Sequence, residues 1–382
     1  MELYVHIPFC VRKCLYCDFL SFAAGNELKE KYVNALLKEL GSFSGLLKSV
    51  QGFDTAFIGG GTPSVLECGL MEKLLAEISQ TLAPGAEFSL ECNPGTADAE
   101  KLKLYRGYGV NRLSIGLQSA NDRELAAIGR IHDFAAFLKT YELARSAGFD
   151  NINVDIMSGL PGQTVGGWEE TLRKVAQLSP EHISAYRLII EPGTPFYGMY
   201  GEKTACMKQG VIPLPDEDDE RMMYHVTSRI LSEYGYHRYE ISNYAKEGCE
   251  CRHNLGYWKN EQYLGAGIGA SSFVNGFRYR NIEDIEEYIN KVENGQLEDL
   301  HVEKEKIDAS GDEEEFIILR MRLSEGIDKK EYKKRFGKDF DGKFGETLKR
   351  FVDAGLMTDT PERISFTEEG FDVSNTILVE LI

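Results

Sequence analysis

The sequence predicts an α/β fold: a partial TIM-like barrel of six βα units, then a smaller, mostly helical C-terminal domain with a winged-helix-like end. Three observations carry this. The first half alternates short β-rich runs with amphipathic helical runs. The unusual polar residues of those units fall at or just after the ends of the predicted strands. Beyond about Asn281 the composition turns charged and helical.

The predicted strands are Glu2–Ile7, Asp54–Ile58, Glu87–Glu91, Arg112–Leu117, Asn151–Met157 and His182–Ile189. Helical patterns separate them at Glu27–Leu47, Val65–Leu82, Ala97–Tyr108, Asp122–Ala127 with Asp133–Ala147, and Trp168–Leu178. Such alternation implies parallel strands joined by helical crossovers. Six units are too few for a closed eight-fold barrel, so one side stays open. A helix is predicted from Pro215 through Leu231, its acidic Asp216–Glu220 run suited to a helix N-terminus. A Gly- and aromatic-rich region spans Tyr239 to Arg280. The end, from Gly355-Leu356-Met357 through Arg363–Thr367 to Gly370, predicts a helix, a small β-wing and a closing helix. The expected organisation is residues 1–215 as barrel, 216–280 as connecting region and 281–382 as C-terminal domain.

The chain has 382 residues, 42% of them hydrophobic, enough for a substantial core. No apolar run reaches the ~18 residues a membrane span needs. The start, MELYVHIPFC, lacks the pattern of a secretory signal. A cytoplasmic protein is expected. With 43 Lys and Arg against 61 Asp and Glu, the formal charge is −18. That surface repels phosphate backbones, so nucleic acid is not an expected partner, and the wing reads as a packing or lid element. A reducing compartment argues against disulfides among the eight cysteines, Cys206 included.

Three of those cysteines form Cys10-x-x-x-Cys14-x-x-Cys17. Three thiolates on a four-iron cubane leave one iron open to a further ligand. Zinc would want a fourth Cys or His, and none follows closely after Cys17. A ferredoxin would supply a fourth thiolate. Gly59-Gly60-Gly61-Thr62-Pro63 follows the second strand, where a glycine run lets backbone approach a ligand; a tight turn would look the same. Glu91, Gln118, Arg130 and Asp155 offer partners for hydroxyls, an ammonium group or a carboxylate. Each also has an ordinary reading as a turn, cap or solvated residue. What they share is a strand-end rim, where ligands of parallel barrels collect.

At this point the sequence resembles a family. The run Tyr4-Val5-His6-Ile7-Pro8-Phe9-Cys10 … Cys14 … Tyr16-Cys17-Asp18-Phe19 is similar to the HemN/HemW group of radical-SAM proteins. So are Gly59–Pro63, Glu91-Cys92-Asn93-Pro94, Leu113–Ser119 and Asp155–Gln163. The resemblance covers nearly the whole chain. It implies a radical-SAM barrel, a [4Fe–4S] cluster on Cys10, Cys14 and Cys17, and a HemN-type C-terminal domain. It also implies S-adenosylmethionine (SAM) contacts at Tyr4, Tyr16, Gly60, Gly61, Thr62, Glu91, Gln118, Arg130 and Asp155.

Within that group the sequence is most similar to the haem-chaperone branch. Phe19 stands where the oxidase branch has a further cysteine. His253-Asn254-Leu255-Gly256-Tyr257-Trp258 matches an HNxxYW motif associated with haem. By that match His253, Asn254, Tyr257 and Trp258 are the expected haem contacts. An imidazole can ligate iron, and the aromatics offer flat apolar surface. From the residues alone, a histidine and two aromatics packed under the barrel would be the commoner outcome. Cys249 and Cys251 read as incidental, and His6 as a structural residue near the cluster.

The resemblance thus implies a haem chaperone that delivers haem to a client haemoprotein, membrane-associated clients included. The rival is an oxygen-independent coproporphyrinogen III oxidase or another radical-SAM enzyme acting on porphyrin or haem. The missing cysteine argues against coproporphyrinogen oxidation. A plain iron–sulfur electron carrier would need no SAM contacts. Whether SAM is cleaved, and how many copies of the chain associate, stay open.

Overall fold

A computed structural model of the chain describes residues 1–43, 45, 51–201 and 211–381. Six strands form the barrel wall: β1 (Glu2–Ile7), β2 (Phe53–Gly60), β3 (Leu82–Cys92), β4 (Arg112–Gln118), β5 (Ile152–Ser158) and β6 (His182–Arg187). They pair in parallel and in sequence order. Every residue of β4 is buried, as expected for a parallel strand covered on both faces.

The expected helices appear at the predicted places. The run expected over Glu27–Leu47 is helical over Asn26–Ser42, and residues 44, 46 and 47 of it lie outside the described residues, as does Cys206. Several helices begin where a short acceptor side chain satisfies an otherwise free backbone N–H. Asp98, Asn121, Asp133 and Thr164 do this for the crossovers, and Asp216 for helix Glu217–Glu233. That last helix packs on helix Val165–Gln177. There Trp168 donates its indole N–H to Thr227 Oγ1 at 2.9 Å.

The Gly- and aromatic-rich region extends the sheet past both of its edges. Beyond β6 lie the antiparallel β7 (His237–Arg238) and β8 (Asn243–Ala245). Beyond β1 lies β9 (Tyr263–Ala266), parallel to β1. Antiparallel β10 (Ser271–Val274), β11 (Phe277–Asn281) and β12 (His301–Lys306) follow it. The sheet therefore has twelve strands, in the order β12-β11-β10-β9-β1-β2-β3-β4-β5-β6-β8-β7.

Two large cores hold the described residues, with a small third cluster of Ile128, Leu160, Leu188 and Phe196 beside them. The larger runs from Leu3 to Leu300 and fills the barrel and its helical coat. The smaller gathers Phe316, Tyr332, Phe344, Met357, Phe366 and Ile377, among others. It belongs to the helices Ala309–Arg320, Lys329–Phe336 and Phe340–Asp353 and to a sheet of β13 (Ile327–Asp328), β14 (Met357–Asp359) and β15 (Arg363–Phe366). The expected wing is the β14–β15 hairpin, followed by helices Glu368–Asp372 and Ser374–Leu378. Among the described residues no helix is long and apolar enough to cross a membrane.

Candidate functional site

The cysteine segment leaves β1 and is tied down by backbone bonds before any cofactor is considered. Cys10 N–H donates to Phe22 O, and Phe22 N–H returns to Pro8 O. Leu15 N–H reaches Ile128 O, and Arg12 donates to Gly129 O at 2.7 Å. Gly61 and Thr62 donate their N–H groups to Ile7 O and Phe9 O. A Cβ on Gly61 would stand 2.9 Å from Phe9 O, so only glycine allows this approach of loop to loop. Gly60 has φ +109°, and a Cβ there would meet the His6 ring at 2.4 Å. His6 bridges the Leu20 carbonyl (2.9 Å) and the Tyr4 hydroxyl (3.1 Å). It holds the cysteine segment to β1, as its structural reading implied.

Cys10, Cys14 and Cys17, each half-buried, line one cavity of about 480 Å³ at the carboxyl ends of the strands. Tyr16, Gly60, Gly61, Thr62, Glu91, Gln118, Arg130 and Asp155 line the same cavity. Of the residues expected to contact SAM, only Tyr4 does not; it lines the deeper cavity described below. Among the described residues, no three His, Cys, Asp or Glu side chains are grouped to hold a single metal ion. The thiols share a cavity instead.

Arg130 organises this space. Its Nη1 points at Cys14 Sγ (3.6 Å), and its Nη2 donates to Asn93 Oδ1 (2.7 Å) and to the Gly116 carbonyl. A Cβ on Gly116 would lie 2.6 Å from Asn93 Oδ1, so that glycine gives the pair its passage. Arg130 Nε and Gln118 Oε1 are buried with no partner. Unpaired buried polar atoms are costly, and both residues line the cavity. Gln118 is also held at φ +72°, an uncommon conformation for a non-glycine residue and one that often marks a site.

Burial pushes the Glu91 carboxyl up to about 8, with the charge of Asp155 as the second cause; the Gly60 N–H and Arg112 oppose it. Burial also raises Asp155, against hydrogen bonds from Ser114 (2.9 Å) and Asn153 (2.8 Å). The Cys17 thiol is raised by burial too. His132, unmarked in the sequence reading, lines the cavity as a neutral imidazole, pushed down to about 4 by burial and then by Arg130.

The deeper cavity, about 650 Å³, runs toward the amino ends of the strands. Glu91, Ser114, Asp155, Phe19 and Tyr186 belong to both walls, so the two spaces adjoin inside the barrel. Helix Arg252–Trp258 closes the floor. Its own N-cap position, Cys251, makes no side-chain cap. Glu87 of β3 does that work, accepting from the backbone N–H of Arg252 and of His253, each at 3.1 Å. Gly256 lets the helix lie against Glu2, whose Oε1 would stand 1.5 Å from an added Cβ.

His253 is 1% exposed. Its Nδ1 meets the Thr55 hydroxyl at 2.7 Å and its Nε2 the Tyr257 hydroxyl at 3.0 Å. Phe57 stacks on the ring at 5.2 Å between centroids. Burial, then Arg112, pushes the imidazole down to about 3, so it is neutral at physiological pH. His253, Asn254 and Tyr257 line the cavity; Trp258 does not. The structure thus divides the expected haem group. Helical spacing alone does not predict this division: 253 and 257 share a face, but 258 stands one turn beyond 254, which does line the cavity. The sequence reading also missed Thr55, Arg112 and Tyr186, whose strand context gave no signal of function.

Comparison with known proteins agrees with this architecture. The model of the radical SAM superfamily matches residues 4–175, and that of the HemN C-terminal domain residues 313–373. The Heme chaperone HemW of Bacillus subtilis is 37% identical over 380 residues, spanning 98% of this chain and 97% of that protein. Those of Haemophilus influenzae and Escherichia coli are 35% and 34% identical, each over 99% of this chain and 97% of the relative. Among solved structures, the radical SAM enzyme coproporphyrinogen III oxidase (HemN) from Escherichia coli superposes with a TM-score of 0.84 at 22% identity, covering 99% of this chain and 89% of that one. That last likeness concerns the fold. The HemW matches extend through sequence and length alike, and the chain belongs to the HemW-type heme chaperone family of radical SAM proteins.

Proposed function

We propose that the chain is a haem chaperone: it carries a [4Fe–4S] cluster and SAM at the carboxyl end of the barrel, holds haem in the deeper cavity, and delivers it to a client haemoprotein. The observation that carries the reading is the shared wall. Glu91, Ser114 and Asp155 line both the cysteine cavity and the His253 cavity, so the two spaces adjoin.

The residues present fit the groups assigned to them. Cys10, Cys14 and Cys17 supply three thiolates, and Gln118 and Arg130, each with an unpaired buried polar atom, line the space beside them. Arg130 is the partner for a carboxylate, and Glu91 with Asp155 for an ammonium group or a ribose diol. Gly60, Gly61 and Thr62 let backbone approach, and Tyr16 covers one side. Tyr4 acts through the hydrogen bond of its hydroxyl to His6. When bound and reduced, a cluster–SAM pair supplies one-electron chemistry. The chain's own residues orient both partners and shield them.

His253 is the proposed axial ligand. Its neutral form is the metal-binding form. With Nδ1–H donated to Thr55, Nε2 carries the lone pair, as in metal-bound histidines oriented by a partner on the other nitrogen. Tyr257 then yields Nε2 to the iron. Asn254 adds a polar contact, and Trp258 lies outside the cavity wall. The proposed parts are residues 1–215 for cluster and SAM and 216–280 for the haem motif; the expected boundary at 281 moves, because residues 281–306 still belong to the barrel's sheet and core, and the HemN-type domain follows from Ala309. A cytoplasmic place agrees with the absence of a membrane-crossing helix among the described residues.

The test is anaerobic reconstitution followed by haem and SAM titration of one sample. Binding of both is expected. Incubation with coproporphyrinogen III under reducing anaerobic conditions is expected to yield no protoporphyrinogen; its formation would replace this reading with that of an oxidase.

A further inference from the structure

Arg112 opens β4 near the barrel floor and is 1% exposed. It lines the deeper cavity. Its Nε is buried without a hydrogen-bond partner, and among the described residues its guanidinium takes part in no ion pair. A fully buried cation without a direct partner is an expensive arrangement. Burial works against its charge. Cys251, Glu87, Tyr239 and Asp155 act the other way, and the balance leaves Arg112 raised.

The nearby acids are already engaged. Both oxygens of Glu87 are taken by the helix N-terminus at Arg252 and His253. Asp155 accepts from Ser114 and Asn153. The cavity's other arginine, Arg278, is bound in a two-pronged pair to Glu315. Arg112 is therefore the cation of this cavity with a free face. It also acts on His253 directly, being the second cause of that ring's lowered pKa.

We propose that Arg112 is the receptor for an acid group on the cavity's ligand, pairing with a carboxylate of the tetrapyrrole while His253 takes the iron. This rests on the haem reading above and assigns the ligand's orientation within it. An apolar cavity wall alone would accept a flat ring in several poses. A buried guanidinium selects the one that brings a carboxylate to it, because arginine binds carboxylates with matched, charge-assisted bonds. The volume, about 650 Å³, lies within the ~300–1,000 Å³ of small-molecule pockets.

The experiment compares haem with haem dimethyl ester on the full chain by Soret titration. The unaltered protein is expected to bind the ester about ten- to a hundred-fold more weakly than haem. In R112Q the affinity for haem is expected to fall to that of the ester, and the two ligands to become equivalent. R112K, which keeps the charge, is expected to recover part of the discrimination. The unaltered chain with two ligands gives an answer that does not depend on the variants folding. Equal affinities for haem and ester in the unaltered chain would overturn the assignment of Arg112 and leave the haem reading standing. No binding of either would overturn both.

Discussion

The Thr55 hydroxyl lies 2.7 Å from Nδ1 of His253, joining the second barrel strand to the helix that closes the floor. This bond fixes which way the imidazole faces and leaves Nε2 as the nitrogen directed at Tyr257. T55V keeps the shape and removes the partner. It is expected to cost about 1–3 kcal/mol of stability, since a buried polar nitrogen is orphaned. Haem affinity should fall by up to about tenfold as the ring loses its orientation. Urea unfolding and Soret titration measure the two effects separately.

Y257F removes the hydroxyl that occupies Nε2. If that nitrogen is the ligand, the variant is expected to bind haem a few-fold more tightly, about 1 kcal/mol, because one competing bond is gone. A large loss of affinity would mean that the hydroxyl serves the ligand rather than competing with it.

Glu2 gives the fold a pH dependence of definite sign. Its carboxyl is 2% exposed and pushed up to about 9, by burial first and then by Glu261. In the unfolded chain it titrates near 4.5. Between those values the folded protein keeps a proton that the unfolded chain gives up, so Glu2's contribution to stability is complete below about 4.5 and is lost as pH rises toward 9. Glu91, raised to about 8, adds to the same window with the same sign. E2Q is expected to flatten the fall in urea midpoint between about pH 5 and pH 9. An unchanged slope would mean that Glu2 is ionised in the fold.

The three cluster thiols lie outside the hydrophobic cores, and their loop is tied by backbone bonds. Serine at Cys10, Cys14 or Cys17 is therefore expected to abolish iron loading while changing unfolding by no more than about 0.5 kcal/mol. Iron analysis after anaerobic reconstitution, paired with circular dichroism, checks this. R130M is expected to spare loading but weaken SAM by at least about tenfold.

Much of the barrel was legible because two periodicities alternate. β1 was read at its observed ends, and the wing near β14 and β15 followed from its glycines and alternating residues. The rim residues were legible as a group because chemistry at strand ends stands out against apolar strand interiors. The floor was not. Thr55 and Arg112 look like ordinary strand residues, and only the closing helix gives them a role. The short flanking strands β7 to β10 have two to four residues each and are defined by their partners rather than by their own pattern. The expected haem motif was a linear match, and the fold divides it: His253, Asn254 and Tyr257 line the cavity and Trp258 does not.

The central claim is that haem iron sits on His253 within the barrel. Soret titration of the reconstituted chain and of H253A tests it most directly. The account predicts that H253A loses the ligated Soret band and at least about tenfold in haem affinity, with SAM affinity unchanged. An unaltered band and affinity in H253A would contradict it.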